Sequence, residues 1–228
     1  MPIHEVLEDG VKVITIDRPP MNAIDLVAIR SLGALFKMHD PKLPLVLEGT
    51  GKAFCAGVDV KAFTSYSPEE RHDMALAITD MTFHLLSIPG PVIAAINGHA
   101  LGGGLVLTLC TDYRIAIDRD TALFGLQESS AGVPFPSGPE RIIAHEIPAP
   151  LCRNLTLSSQ AVSSHFLARH MIFDELASPE DIRARALVQA KELSAHSGFR
   201  AVKSQVRRTL INQVRQAKDH GIEELFQT

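Results

Sequence analysis

The sequence predicts a mixed α/β fold that gives way to helices toward the C-terminus. Three observations carry this. Short apolar runs alternate with stretches of helical period as far as about residue 125. Beyond that point the apolar periodicity is mostly helical. The chain has 228 residues, 46% of them hydrophobic and 21% charged, which is enough to bury one sizeable core without disulfides or metals.

Residues 3–7 and 11–16 are apolar runs with polar residues interspersed, separated by Glu8-Asp9-Gly10, and read as a β-hairpin with a turn glycine. Arg18-Pro19-Pro20 stops the second strand, because proline cannot donate to a ladder. Asp25 is placed to cap a helix reaching about Met38, with Val27, Ile29, Leu32, Leu35 and Phe36 as its stripe. Leu45-Val46-Leu47 predicts a buried strand, and residues 51–60 a loop. Ser67-Pro68-Glu69-Glu70 is a helix start, with serine at the cap, proline at the first position and acids in the first turn; the helix should reach Leu86. Residues 91–96 form a strand, Asn97-Gly98-His99 a turn, and the apolar stretch 105–110 a helix. Residues 113–117 and 122–124 are short strands around the polar turn 118–120, and helices begin at about Pro139. Two amphipathic faces follow, one of Ile182, Ala186, Leu187, Ala190 and Leu193, the other of Val202, Val206, Leu210 and Val214.

A formal net charge of -4 argues against general nucleic-acid binding, and the spaced charges of residues 203–218 read as a solvated helix face. Cys55, Cys110 and Cys152 are too far apart for a metal pair and odd in number for a disulfide framework, which fits a reducing interior and no metal site. The N-terminus lacks the basic-then-apolar order of a signal peptide, and no apolar run reaches membrane-spanning length. A cytoplasmic protein without a membrane or nucleic-acid partner is expected.

Two stretches carry candidate chemistry. Gly102-Gly103-Gly104 lets a ligand approach the backbone, and a helix opening there offers amide N–H groups without intrahelical partners, which favour an anion. A tight turn explains the same residues. The loop 52–61 has small residues at Cys55, Ala56 and Gly57 that leave main-chain groups open; an ordinary surface loop is the plainer reading. No base is tied to Cys55 by spacing, so it is not read as a nucleophile.

Taken together, Gly57-Val58-Asp59, Asn97-Gly98-His99-Ala100-Leu101-Gly102-Gly103-Gly104, Asp112-Tyr113-Arg114-Ile115-Ala116 and Phe124-Gly125-Leu126-Gln127-Glu128 resemble the crotonase (enoyl-CoA hydratase/isomerase) superfamily, as does the opening stretch 14–23. The resemblance runs from about residue 10 to about residue 200. It implies a ββα spiral core with a helical C-terminal region, here divided into residues 1–195 and a shortened trimerisation segment, 196–228. It also implies an acyl-CoA substrate, with coenzyme A part of the substrate and no other cofactor, and a homotrimer or hexamer. By motif position the backbone N–H groups of Val58 and Gly103 would form an oxyanion hole. The backbone of Cys55, Ala56 and Gly57 would meet the adenine, and Lys61 a coenzyme A phosphate.

Hydratases of the family use two glutamates. The second maps to Glu128, expected at a strand end near an apolar pocket, while the first maps to Val106, which carries no proton. One carboxylate suits a double-bond shift better than addition of water, so the combination resembles the family's enoyl-CoA isomerases. Hydration or thioester hydrolysis, and an acyl-CoA-binding protein without chemistry, are the alternatives. His84, His99, Asp59 and Asp112 are expected to be structural. Two prolines in the stretch 132–138 stiffen the loop after Glu128, and Phe135 is placed to enter the acyl pocket. The stretch 223–228 suggests that the C-terminal element covering the site is absent or reduced.

Overall fold

The computed structural model describes residues 3–226, apart from the side chain of Glu224. Strands β1 (Ile3–Glu8) and β2 (Val11–Ile16) pair antiparallel as expected. Asp9 and Gly10 both take positive φ, 48° and 81°, as a two-residue hairpin turn requires. Helix α1 (Leu26–Lys37) starts where Asp25 accepts a hydrogen bond from the Ala28 amide at 2.9 Å.

The chain then winds as a ββα spiral. Its first turn is β3 (Leu45–Gly49), β4 (Ala53–Cys55), the short helix α2 (Val60–Ser65) and α3 (Pro68–Leu86). The second is β5 (Val92–Ile96), β6 (His99–Leu101) and α4 (Gly103–Leu109). The third is β7 (Tyr113–Ile117), β8 (Phe124–Gly125), α5 (Glu128–Ala131) and α6 (Ser137–Glu146). Each turn gives one strand to a large sheet and one to a small sheet. With β9 (Glu175–Ala177), the large sheet has the order β1-β2-β3-β5-β7-β9, parallel except for the first pair; the small one is β4-β6-β8, all parallel. The expected loop 51–60 therefore contains a strand, the turn at 97–99 leads into another, and β9 was not expected at all. Elements of three residues are too short to show a period. They exist because distant parallel neighbours take up their backbone groups. Strands β7 and β8 also belong to different sheets.

Every residue of β5 is buried, as a strand covered on both faces should be. Helices α7 (Ala149–Ser158) and α8 (Ser164–Arg169) follow the spiral. Helix α9 (Ile182–Ala195) then lies across the large sheet with Ile182, Ala186 and Ala190 buried; the two alanines let it approach closely. The stripe expected over residues 202–214 is broken. It divides at Arg207 into α10 (Phe199–Val206) and α11 (Arg208–His220). Leu210 and Val214 are buried as α11 packs on α3 and α6 of the same chain, whereas Val202 and Val206 are 55% and 69% exposed.

The basic stretch is not simply a solvated face. Lys203 is buried and donates to the Gly90 carbonyl at 2.9 Å and to Asp112 at 2.5 Å. Arg207 donates to the Thr111 carbonyl at 2.6 Å and to Glu146 at 3.0 Å, and Arg114 donates to Glu146 at 2.5 Å. Burial lowers the Lys203 pKa while Asp112 opposes the shift. Among the described residues no helix is long and apolar enough to cross a membrane.

Candidate active site

The site begins with the loop after β4. Ala56 donates to the Met21 carbonyl at 3.0 Å, Ile24 donates to the Gly57 carbonyl at 2.8 Å, and Asp59 donates to the Ile24 carbonyl at 2.9 Å. Because Asp59 N–H faces residue 24, the alternation of extended backbone turns the Val58 N–H to the opposite side. The partner segment is itself fixed by Asn22, buried and at φ 54°, whose amide donates to the Ala53 carbonyl at 2.7 Å and the Thr50 carbonyl at 2.9 Å. Arg18 pairs with Asp25 at 2.6 Å and with Asp59 at 3.3 Å. Asp59 also caps α2 through the Lys61 and Ala62 amides.

The three glycines follow β6 and answer to different constraints. Gly102 has φ 52° and ψ -126°, and a Cβ there would stand 3.0 Å from Glu128 Oε1. Gly104 abuts the end of β4: a Cβ would lie 1.9 Å from the Cys55 carbonyl oxygen. Gly103 is not crowded, its nearest neighbour being Gly57 Cα at 3.7 Å. Gly57, at φ 81°, would place a Cβ 3.0 Å from the Gly103 nitrogen, so the two segments touch here. Among the described residues neither the Val58 nor the Gly103 N–H donates to a protein acceptor.

Glu128 is not at a strand end but opens α5, three residues past β8. Its Oε2 is shielded from solvent and has no hydrogen-bond partner among the described residues. Burial pushes its pKa up to about 7, against a smaller opposing pull from the amides of Glu128 and Gln127. The carboxyl group faces a cavity of about 160 Å³ also lined by Val58, Gly103, Val106 and Phe135. Val106 is buried where the helix turns toward Glu128, so no second acid enters from α4. Glu128 is the one titratable side chain among the described lining residues, and Gln127 the one other polar one.

The structure therefore brings Glu128, Val58, Gly103 and Ala56 to one cavity, with Gly57 just behind. Cys55 lies outside it: the side chain is wholly buried, burial drives its pKa to about 12, and its carbonyl abuts Gly104. Lys61 is exposed and follows Val60, which lines the cavity. His99 accepts from the Leu123 amide at 3.1 Å, and His84 pairs with Asp80 at 3.3 Å; neither lines the cavity. Asp112 accepts from the Val92 amide at 2.9 Å and ties down the C-terminal helices. Met74 and Ile78, one turn apart on α3, line the cavity and were not singled out in the sequence.

The last described element is a 3-10 turn, Glu224–Phe226, and it reaches the site, because Phe226 is buried and lines the cavity. The short stretch has no periodicity to announce this. Just before the turn, Glu223 is a buried carboxylate.

Known proteins resemble the chain in sequence and in fold. A family model described as enoyl-CoA hydratase/isomerase matches residues 7–227. The Bacillus subtilis (strain 168) protein YngF, which carries an enoyl-CoA hydratase/isomerase name, is 30% identical over 199 residues, 85% of this chain and 76% of its own. The crystal structure of ECHA3 from Mycobacterium tuberculosis H37Rv, which carries the name of an enoyl-CoA hydratase, superposes with a TM-score of 0.87 at 25% identity, covering 96% of this chain and 94% of that one. A Pseudomonas syringae protein of the same family gives a TM-score of 0.89 at 22% identity over 98% of each chain, a likeness of fold.

Proposed function

The chain belongs to the enoyl-CoA hydratase/isomerase family, and on that premise we propose that it moves the double bond of an enoyl-CoA thioester, with Glu128 as the acid–base group. The observation that carries this reading is the single carboxyl group among the described residues lining the cavity, set against a valine at position 106.

The chemistry follows from the geometry. With a 3-enoyl thioester in the cavity, the Glu128 carboxylate removes a proton from the carbon next to the thioester. Charge moves onto the thioester oxygen, where the N–H groups of Val58 and Gly103 would receive it. The proton returns from Glu128 to the γ carbon, and the double bond ends in conjugation with the thioester. A base whose pKa lies near 7 is suited to taking and returning a proton at neutral pH. Each preorganised donor would contribute about 3 kcal/mol in the transition state. Ala56, Gly57 and the exposed Lys61 are the groups proposed to meet coenzyme A, the last as a point charge for a phosphate.

Purified protein mixed with 3-enoyl-CoA, 2-enoyl-CoA and saturated acyl-CoA tests this. Conversion of the 3-enoyl form to the 2-enoyl form is expected, falling about 100-fold or more in Glu128→Gln. Unchanged turnover in that variant would remove Glu128 from the mechanism. Gly103→Pro deletes one donor at the first helical position, which tolerates proline, and should cost about 100-fold. Lys61→Ala should raise KM and spare kcat. The second reading, hydration, draws on Gln127, whose amide beside Glu128 could hold a water. Water addition to the 2-enoyl form with no action on the 3-enoyl form would favour it.

A further inference from the structure

We propose that Glu223 is a clasp that holds Phe226 in the wall of the acyl cavity, and that this wall limits the acyl length accepted; the proposal rests on the thioester reading above. The clasp is built from three segments. Helix α6 begins after Pro136, which has no side-chain acceptor for the first amides of the helix. Glu223 supplies one from the far end of the chain. Its Oε2 accepts from the Ser137 amide at 2.9 Å and from the Ser137 hydroxyl at 2.7 Å. Its Oε1 accepts from the Thr79 hydroxyl at 2.8 Å, and Thr79 in turn accepts from the Gly138 amide at 3.2 Å. The Glu223 amide donates to His72 Nε2 at 3.2 Å. Glu223 is 3% exposed, so these bonds form away from bulk water.

What the clasp joins gives it meaning. Thr79 follows Ile78 on α3, and Ser137 follows Pro136; both of those neighbours line the cavity. Three residues beyond Glu223, Phe226 lines it as well, while Glu223 itself does not. Gly221 reverses the chain after α11 at φ 65°, directing the tail onto α3. Leu225 is 71% exposed, so apolar burial of the tail rests on Phe226 rather than on a broad packed face. Removing the Glu223 carboxylate would free the tail and open the cavity wall on the α3–α6 side.

The experiment measures binding, not turnover. Butanoyl-, hexanoyl-, octanoyl- and decanoyl-CoA, with free coenzyme A as reference, are titrated by calorimetry into the parent chain, Phe226→Ala and Glu223→Ala. Phe226→Ala should shift the long-to-short affinity ratio about tenfold toward long chains, as burial of two further methylenes would give. Glu223→Ala should move the same ratio in the same direction although its side chain is outside the wall. If that variant does not fold, Glu223→Gln, which keeps an acceptor for Ser137, replaces it with a smaller expected shift. Folded variants that bind acyl-CoA with the parent's length profile would overturn the clasp and leave the thioester reading standing. If no acyl-CoA binds any of the proteins better than coenzyme A does, the thioester reading fails and the clasp with it.

Discussion

At Glu128, stability and the proposed activity pull in opposite directions. Its carboxyl group sits at a pKa of about 7 in the fold against 4.5 for the free side chain, because burial disfavours the charge. The folded protein therefore holds a proton that the unfolded chain has released. As pH rises through this window stability falls, and above it the deficit stays constant at about 3 kcal/mol. Glu128→Gln cannot ionise, so it should be more stable than the parent by up to that amount at pH 8, with the difference closing below pH 4.5. Denaturant titrations at several pH values check this; an advantage that does not vary with pH would contradict it. Activity should run the other way, with kcat/KM climbing with pH to a plateau above about 7, where the base is ionised. The identity of Glu128 and its place near an apolar pocket were legible in its motif, but which residues close that pocket, Val106 and Phe226 among them, was not, since they come from elsewhere in the chain. Cys55 is the converse case. Its position suggested an open backbone, but the side chain belongs to the core and its carbonyl is occupied by packing.

At the scale of elements, the three glycines do unequal work. An alanine at 104 would force a Cβ to within 1.9 Å of the Cys55 carbonyl oxygen, and both groups belong to backbone that cannot move independently. Gly104→Ala should cost about 3 kcal/mol or more. Gly103→Ala meets only ordinary contact and should change stability by no more than about 1 kcal/mol. Thermal unfolding of the two variants distinguishes them, and equal effects would show that the β4–α4 approach is not the constraint. Local sequence signals identified the long elements, α1 from its apolar stripe and α3 from its start, where Ser67 and Glu70 form a capping box. It could not identify β4, β6 and β9, whose existence depends on parallel partners remote in sequence. These short strands matter out of proportion to their length, because β4 and β6 deliver Val58 and Gly103 to the same place.

At the scale of the molecule, one buried charge network fastens the C-terminal helices to the spiral. Its constituents were visible as a basic stretch, but spacing alone could not distinguish a solvated face from ion pairs made with residues 91 and 61 positions away. Asp112 is the hub: it accepts from the Val92 amide, pairs with Lys203 at 2.5 Å and lies 3.6 Å from Arg207. Asp112→Ala would leave a buried ammonium whose remaining acceptor is the Gly90 carbonyl, and would strip the Val92 amide of its partner. A cost of about 3–5 kcal/mol is expected, a fall in Tm on the order of 10 °C for a chain of this length. The loss should arise from the orphaned charge rather than from the pair itself. Adding Lys203→Met to Asp112→Ala should therefore recover part of the stability, because the methionine fills the same channel without a charge to desolvate. A double variant no more stable than Asp112→Ala alone would show that the loss comes from the missing attraction rather than from the orphaned charge, and that α10 and α11 are held chiefly by the ion pair.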